Sequence, residues 1–561
     1  MGAESSLNLE SLLRLTPALR ARLYRSSQPS GAPDSSGGSG LAIVVSLLSA
    51  VALASFAYFC ARGEVLLSGD AVAHINIARR IFDSLTPGLF QLGTVWLPLP
   101  HLLTVPFIVN DKLWSTGIGG SVISVISYVV AGCGIYRLGA RWSRLAAWAG
   151  VAVFSANPNL LYVQSTALNE PLYLAAFIWT AVFFSECAEQ LRARHLPLAT
   201  ATLEKGAITL IIAILTRYDG WFLAAVCWVA MLPTVWRAIR GSESAAAVNS
   251  LRRSAAKALL LTALAPSLWL AYNLGVYKNA LEFANGPYSA RAIAMRTTAS
   301  GVQSYPGERS PRVAAIYFIK TVQLNLGAGW LAKLLLLMAI AGSIAALRSR
   351  HWLLLTLLWC PLVFYPLSIA YGAVPIFIPV WWPFSYYNVR YGLELLPAIA
   401  VGAALLVHLS GRLGIRLPVQ PIVAGLLLAI VAGCYLSAAV AVPVCLREMR
   451  ANGQARLQYD HELAAVLRTL PATATVLAYT GAHAGAFELA GFHLDRTINE
   501  GIYPIWDASL QQPSQAADYV IAEQGDPVSA AVRRHPQNLV AIHSVLVPGQ
   551  PPAVVYKSGL H

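Results

Sequence analysis

The feature that most constrains this chain is a recurrence. Apolar runs of about 20 residues return again and again between residues 41 and 441, the length a helix needs to cross a bilayer core of about 30 Å. A spanning segment must satisfy every backbone polar group internally, so such runs fold as helices. They fall near 41–60, 115–136, 145–162, 169–186, 206–218, 220–236, 257–276, 329–347, 352–371, 390–409 and 419–441. The expectation is therefore an α-helical polytopic membrane protein of about 11 transmembrane helices. Arg217-Tyr218-Asp219-Gly220 interrupts the pair 206–218 and 220–236.

Composition agrees. Apolar residues make up 57% of the 561 positions and charged residues 12%, against roughly 45–50% and about 25% in soluble domains. The net charge of +14 does not point to nucleic acid, because the cations sit in short turns between spans. With the N-terminus inside, the turns at Arg137/Arg141/Arg144, Arg192/Arg194/Lys205, Arg237/Arg240/Arg252/Arg253/Lys257, Arg348/Arg350 and Arg412/Arg416 all fall inside, as the positive-inside rule requires. An odd span count then puts the C-terminus outside. Seven cysteines without a CxxC pair, nearly all in apolar runs, read as buried small hydrophobes.

Three regions follow. Residues 1–40, basic and then Ser/Gly/Pro-rich, read as a flexible cytoplasmic tail. Residues 41–441 form the membrane domain, with a first outer loop at 61–114. From 446 short strand-like runs (Thr475–Tyr479, Asp518–Ala522, Leu539–His543) alternate with helical stretches, which predicts a small extracytoplasmic α/β domain over 446–561.

The outer face then collects the unusual polar residues, and polar groups concentrated beside a bilayer are a functional expectation. Asp70 follows Ser68-Gly69, at or near the N-cap of a short helix. Ile75, Ala78, Ile81 and Phe82 share one face of it, predicting an interface helix with that face toward lipid. His74 lies one turn on, on the Asp70 side. Trp96 opens Trp96-Leu-Pro-Leu-Pro-His101, whose prolines predict a stiff extended turn, as a wall beside a site or as an aromatic anchor. Glu170, before Pro171, starts a helix. It either complements the helix dipole or orients an acceptor, tunes Asp70 or helps hold a divalent cation. Arg217 either pairs with Asp219 or offers its fork to a phosphate. Arg390, a cation on the outer side, either serves a phosphate or pairs with Glu394 one turn along. Asp83 and His101 read as structural.

In order and sidedness this pattern resembles the GT-C class of glycosyltransferases, in the branch of protein O-mannosyltransferases and lipid A aminoarabinose transferases. The residues that carry the resemblance are Asp70 with Ala78-Arg79-Arg80, Asn169-Glu170-Pro171, Leu215-Thr216-Arg217 before Gly220, and Arg390 heading a span that reaches Leu396-Pro397. They cover about 50–410. The first loop has one Asp where protein O-mannosyltransferases have an acidic pair. The resemblance implies transfer of a sugar from a polyprenyl- or dolichyl-phosphate donor to an extracytoplasmic lipid, glycan or protein acceptor, in a bacterial inner membrane. Asp70 and Glu170 are the expected catalytic residues; His74, Trp96, Arg217, Asp219 and Arg390 are the expected substrate-binding residues. One base and direct displacement imply inversion. No metal ligand set is assigned, and the C-terminal domain is expected to recognise the acceptor. The rival readings are a lipid-linked sugar flippase or transporter, and an O-antigen ligase-like transferase with a diphosphate donor.

Overall fold

The computed structural model describes residues 36–297, 304–347, 351–412, 417–481, 483–502 and 505–560. The expected tail lies outside these up to residue 35, as do Arg348, Arg350 and Arg416. The chain divides into a short unit, Met1–Val44, and a compact one, Val45–His561; the second carries the polar cluster and the sheet described below.

Among the described residues ten helices are long and apolar enough to cross a membrane, and the chain is a multi-pass membrane protein. The first begins at Ser36, inside the stretch expected to be tail. The Arg217-Tyr218 interruption is real: one helix ends at Thr216 and the next starts at Asp219. The expected span at 145–162 is instead two pieces, Arg144–Ser155 and Pro158–Val163. The break comes at Asn157, whose Oδ1 accepts the backbone N–H groups of Asn159 and Leu160 at 2.9 and 3.1 Å. An Asn side chain that competes for backbone groups favours a cap over helix interior, so this segment stops and restarts.

Small residues let the spans approach. Gly342 and Gly402 bring Gly329–Leu347 against Val389–Ser410 so closely that a Cβ on Gly342 would collide with the Gly402 carbonyl. Such contacts replace the hydrophobic drive that lipid cannot supply between helices. The basic turns meet at one end of the bundle: Arg137 pairs with Glu186 at 2.8 Å, Arg141 with Glu189, and Gln420 reaches Ser143 at 2.9 Å.

At the other end the chain is polar and knotted by asparagines. Asn157 and Asn159 both donate to the Asn325 carbonyl, at 2.9 and 3.0 Å, and Asn325 Nδ2 donates to the Val389 carbonyl at 2.7 Å. Val389–Leu395 is a 3₁₀ turn packed by Gly392 directly on Thr321 and Asn325. Arg390 is fixed through this turn.

After the last apolar stretch, Val444–Leu467 forms a long polar helix, as expected around Asp460. A five-stranded sheet follows: β1 Val476–Ala478, β2 Thr497–Ile498, β3 Tyr519–Glu523, β4 Leu539–Val545 and β5 Ala553–Ser558, in the order β2-β1-β3-β5-β4. β1 runs parallel to β2 and β3, while β5 is antiparallel to β3 and β4. β1, β3 and β4 are the three strands expected; β2 is two residues long, too short to leave a pattern. Leu477, Val520 and Ile498 of the sheet pack on Val528 and Val532 of the Pro527–Arg534 helix.

Candidate active site

Asp70 stands in the first turn of the Gly69–Arg80 helix, and Ser68 rather than Asp70 is the cap: its Oγ accepts the Ala71 N–H at 3.3 Å. Asp70 is thereby spared from capping, while its charge still complements the helix N-terminus. The helix is not an interface helix. Ile75 and Ala78 are 1% and 0% exposed, and Asn76 donates to Glu488 at 2.6 Å. The apolar face expected to meet lipid meets protein: Ile75 abuts Gly120 of the Ile118–Ala140 helix. Ile81 and Phe82, at the helix end, remain more open.

Arg390 is the centre of the polar cluster. Its Nη2 pairs with Asp70, its Nε lies 2.8 Å from Glu170 Oε1, and its Nη1 lies 3.7 Å from Glu448 Oε1. Arg217 reaches the same Glu170 oxygen at 3.1 Å and Asp219 at 3.3 Å, and its Nη2 donates to the Tyr365 hydroxyl at 3.3 Å. Tyr365 donates to Asp219 at 2.5 Å. The Tyr391 ring lies 5.0 Å from one guanidinium and 5.2 Å from the other, within cation–π range. Asp70, Glu170, Arg217, Asp219 and Arg390 therefore form one connected network, although they come from four separate segments.

Within it one carboxylate is open. The Asp70 side chain is 40% exposed, those of Arg390 and Glu170 8% and 2%. The buried part is a scaffold of paired charges, and Asp70 is its accessible end. The alternative pairing of Arg390 with Glu394 is not made. Glu394 is fully buried, and neither of its oxygens has a hydrogen-bond partner among the described residues. Nor are the two arginine forks free, since carboxylates and a tyrosine occupy them. Asp70 and Glu170 both face Arg390, so they do not form a cradle for a cation. Among the described residues the close group of potential metal ligands is Asp83, His493 and Asp495, outside this network. There Asp83 already pairs with Arg79 at 2.6 Å.

His74 does not touch Asp70. Its Nδ1 lies 2.9 Å from His101 Nε2, and its ring meets Trp96 edge-on at 4.8 Å. Burial pushes its pKa down to about 4 against the pull of Asp70 and Glu170, so the imidazole is neutral at ordinary pH. Trp96 does stand beside the cluster's helix, but the prolines after it begin a helix, Pro98–Ile108, instead of an extended turn. The first turn of a helix has no N–H to lose, which is why proline fits there.

Sequence reading missed Glu448, Tyr365 and Tyr391. Glu448 had a signal, a lone acid in Arg447-Glu-Met-Arg450 at the foot of a span. The two tyrosines had none, being aromatic residues in apolar segments.

No family model matches the sequence, and no curated protein matches it. Solved structures do. ArnT from Cupriavidus metallidurans bound to undecaprenyl phosphate is 14% identical, with a TM-score of 0.56, over 93% of this chain and 98% of that one. Its apo state gives 13%, 0.52 and the same coverage. The oligosaccharyltransferase of Archaeoglobus fulgidus aligns over 86% of this chain and 69% of its own, at 12% identity and a TM-score of 0.45. The helical membrane part and the terminal sheet thus share the fold of ArnT, the GT-C fold.

Proposed function

We propose that this protein is a membrane glycosyltransferase that moves a sugar from a polyprenyl-phosphate donor to an extracytoplasmic acceptor. The observation that carries the reading is the half-open Asp70 carboxylate at the end of a buried chain of ion pairs. A general base must be accessible and held in place, and Asp70 is both. The shared fold with ArnT, a protein solved with undecaprenyl phosphate, supports a polyprenyl-phosphate carrier, which is also what this reaction would release.

In the proposed step the acceptor hydroxyl or amine attacks the anomeric carbon. The new bond to that carbon forms as its bond to the phosphate oxygen breaks. The acceptor proton passes to Asp70, and the electron pair leaves with the polyprenyl phosphate, which gains a negative charge. Direct displacement inverts the anomeric centre. Arg390 pairs with Asp70 and orients it. Arg217, 14% exposed, supplies positive potential toward the leaving phosphate, the kind of preorganised charge that carries much of catalysis. Glu170 ties the two arginines together, and His74 with Trp96 forms the wall behind the helix.

The test is transfer from undecaprenyl-phosphate-linked labelled hexoses in membranes holding the chain or its Asp70→Asn variant. Loss of about 10²–10⁴ in rate is expected, the usual weight of a general base. Near-normal transfer by the variant sinks the base assignment. Turnover confined to diphosphate-linked donors overturns the monophosphate reading.

A further inference from the structure

The Val444–Leu467 helix connects the last apolar span to the sheet, and one stripe of it lies along the residues that lead into Asp70. Arg450 donates to Glu64 Oε1 from Nε at 3.1 Å and from Nη2 at 2.5 Å. Arg456 Nη2 donates to the Leu66 carbonyl at 2.6 Å and reaches that of Leu67 at 3.4 Å. Between them Gly453 abuts the Leu67 carbonyl so closely that any Cβ there would collide with it. Residues at 450, 453 and 456 share a helix face, so the contacts form a single clamp on Glu64–Leu67. The next residue, Ser68, caps the Asp70 helix.

The same helix also grips Asp70's partner. Glu448 Oε2 accepts the Val389 N–H at 2.9 Å, and Oε1 faces Arg390. Arg456 is held from behind by an ion pair with Asp460. Asp460 lies 3.1 Å from His483, whose other nitrogen is 3.1 Å from Glu523 on β3. Both supports of Asp70, the capped helix start and Arg390, are thus anchored on one helix that is itself fixed to the sheet.

We propose that the Val444–Leu467 helix is a positioning element for Asp70: Gly453 and Arg456 act through the Leu66 and Leu67 carbonyls, and Glu448 acts through Arg390. This assigns the C-terminal part a role in placing the base. The proposal rests on the reading of Asp70 as that base. Gly453→Ala must displace the Leu67 carbonyl. Arg456→Lys keeps the charge and loses the fork that joins Asp460 to Leu66. A shift of about 1 Å in a reacting group costs on the order of 10²-fold.

The experiment uses the full chain in native membranes with the undecaprenyl-phosphate-linked labelled hexose that the wild-type chain transfers, the same variants being checked for folding by thermal melting. Gly453→Ala and Arg456→Lys are expected to lower kcat by roughly 10–100-fold, with KM for the donor changed less than about threefold. Added to Asp70→Asn, either change should slow the residual rate no further, since it acts through a group already gone. Wild-type kcat in both variants, or an equal further loss in the Asp70→Asn background, overturns the positioning role while leaving the base intact. If Gly453→Ala does not fold, Arg456→Lys decides alone. Near-normal turnover by Asp70→Asn removes base and positioning together.

Discussion

Glu170 shows how much a single buried residue settles in this protein. Its one oxygen Oε1 takes Arg390 at 2.8 Å and Arg217 at 3.1 Å. Taking a carboxylate out of such a site leaves two guanidinium groups under-compensated, and breaking a buried pair from one side typically costs about 3–5 kcal/mol. Glu170→Ala should therefore lower the melting temperature of the detergent-solubilised protein sharply, by far more than Asp70→Asn, whose side chain is partly solvated. Equal melting of the two variants would contradict the scaffold-and-open-end description. At this scale the sequence named residues that prove to be connected and left their partners undecided. Arg390 and Glu394 sit four apart, which suggests a pair on an α-helix. The turn they share is 3₁₀, with 3.0 residues per turn, so four residues bring the side chains about 120° apart. The choice of Asp70, 320 positions away, follows from that local winding.

Among the elements, the Gly69–Arg80 helix was the most legible and the most misleading. Its start was readable from Ser68-Gly69-Asp70, and the cap proved to be Ser68. Removing that hydroxyl in Ser68→Ala should destabilise the protein by about 1 kcal/mol, the usual weight of an N-cap. A small drop in melting temperature checks it, and no drop would mean that the Glu64–Leu67 clamp holds the helix start unaided. Its amphipathic pattern, however, states only that one face is apolar. It does not state what covers that face. Here the cover of Ile75 includes Gly120 of the Ile118–Ala140 helix, so a helix suited to an interface became a buried one. The 144–163 segment teaches a related lesson. Hydropathy counts apolar residues and passes over Asn157, whose capping bonds divide the span.

Across the whole molecule the sheet is joined to the Val444–Leu467 helix by ionic contacts through His483, and these give the protein a pH dependence. Burial alone would lower the His483 pKa, but its hydrogen bonds to Asp460 and Glu523 outweigh that and raise it to about 9. The protonated form is favoured in the folded state, so this contribution to stability is fully present below about pH 6.5, the pKa of an unperturbed histidine, and is lost as pH rises through about 9. Melting temperature should fall across that window, and His483→Gln should flatten this part of the profile. A variant that keeps the wild-type slope would place the dependence elsewhere.

The sequence by itself determined the class of fold, because runs of about 20 apolar residues allow little besides membrane helices. It also determined which polar residues stand at the ends of those helices, since a charge inside an apolar run is conspicuous. Only the tertiary structure decided who meets whom. Asp70, Glu170, Arg217 and Arg390 converge through helices that pack by small residues and asparagine contacts spread over the chain. Such contacts carry no local period. The opening feature of the chain, its recurring apolar runs, fixed the helices; the geometry of their ends turned four scattered residues into one cluster.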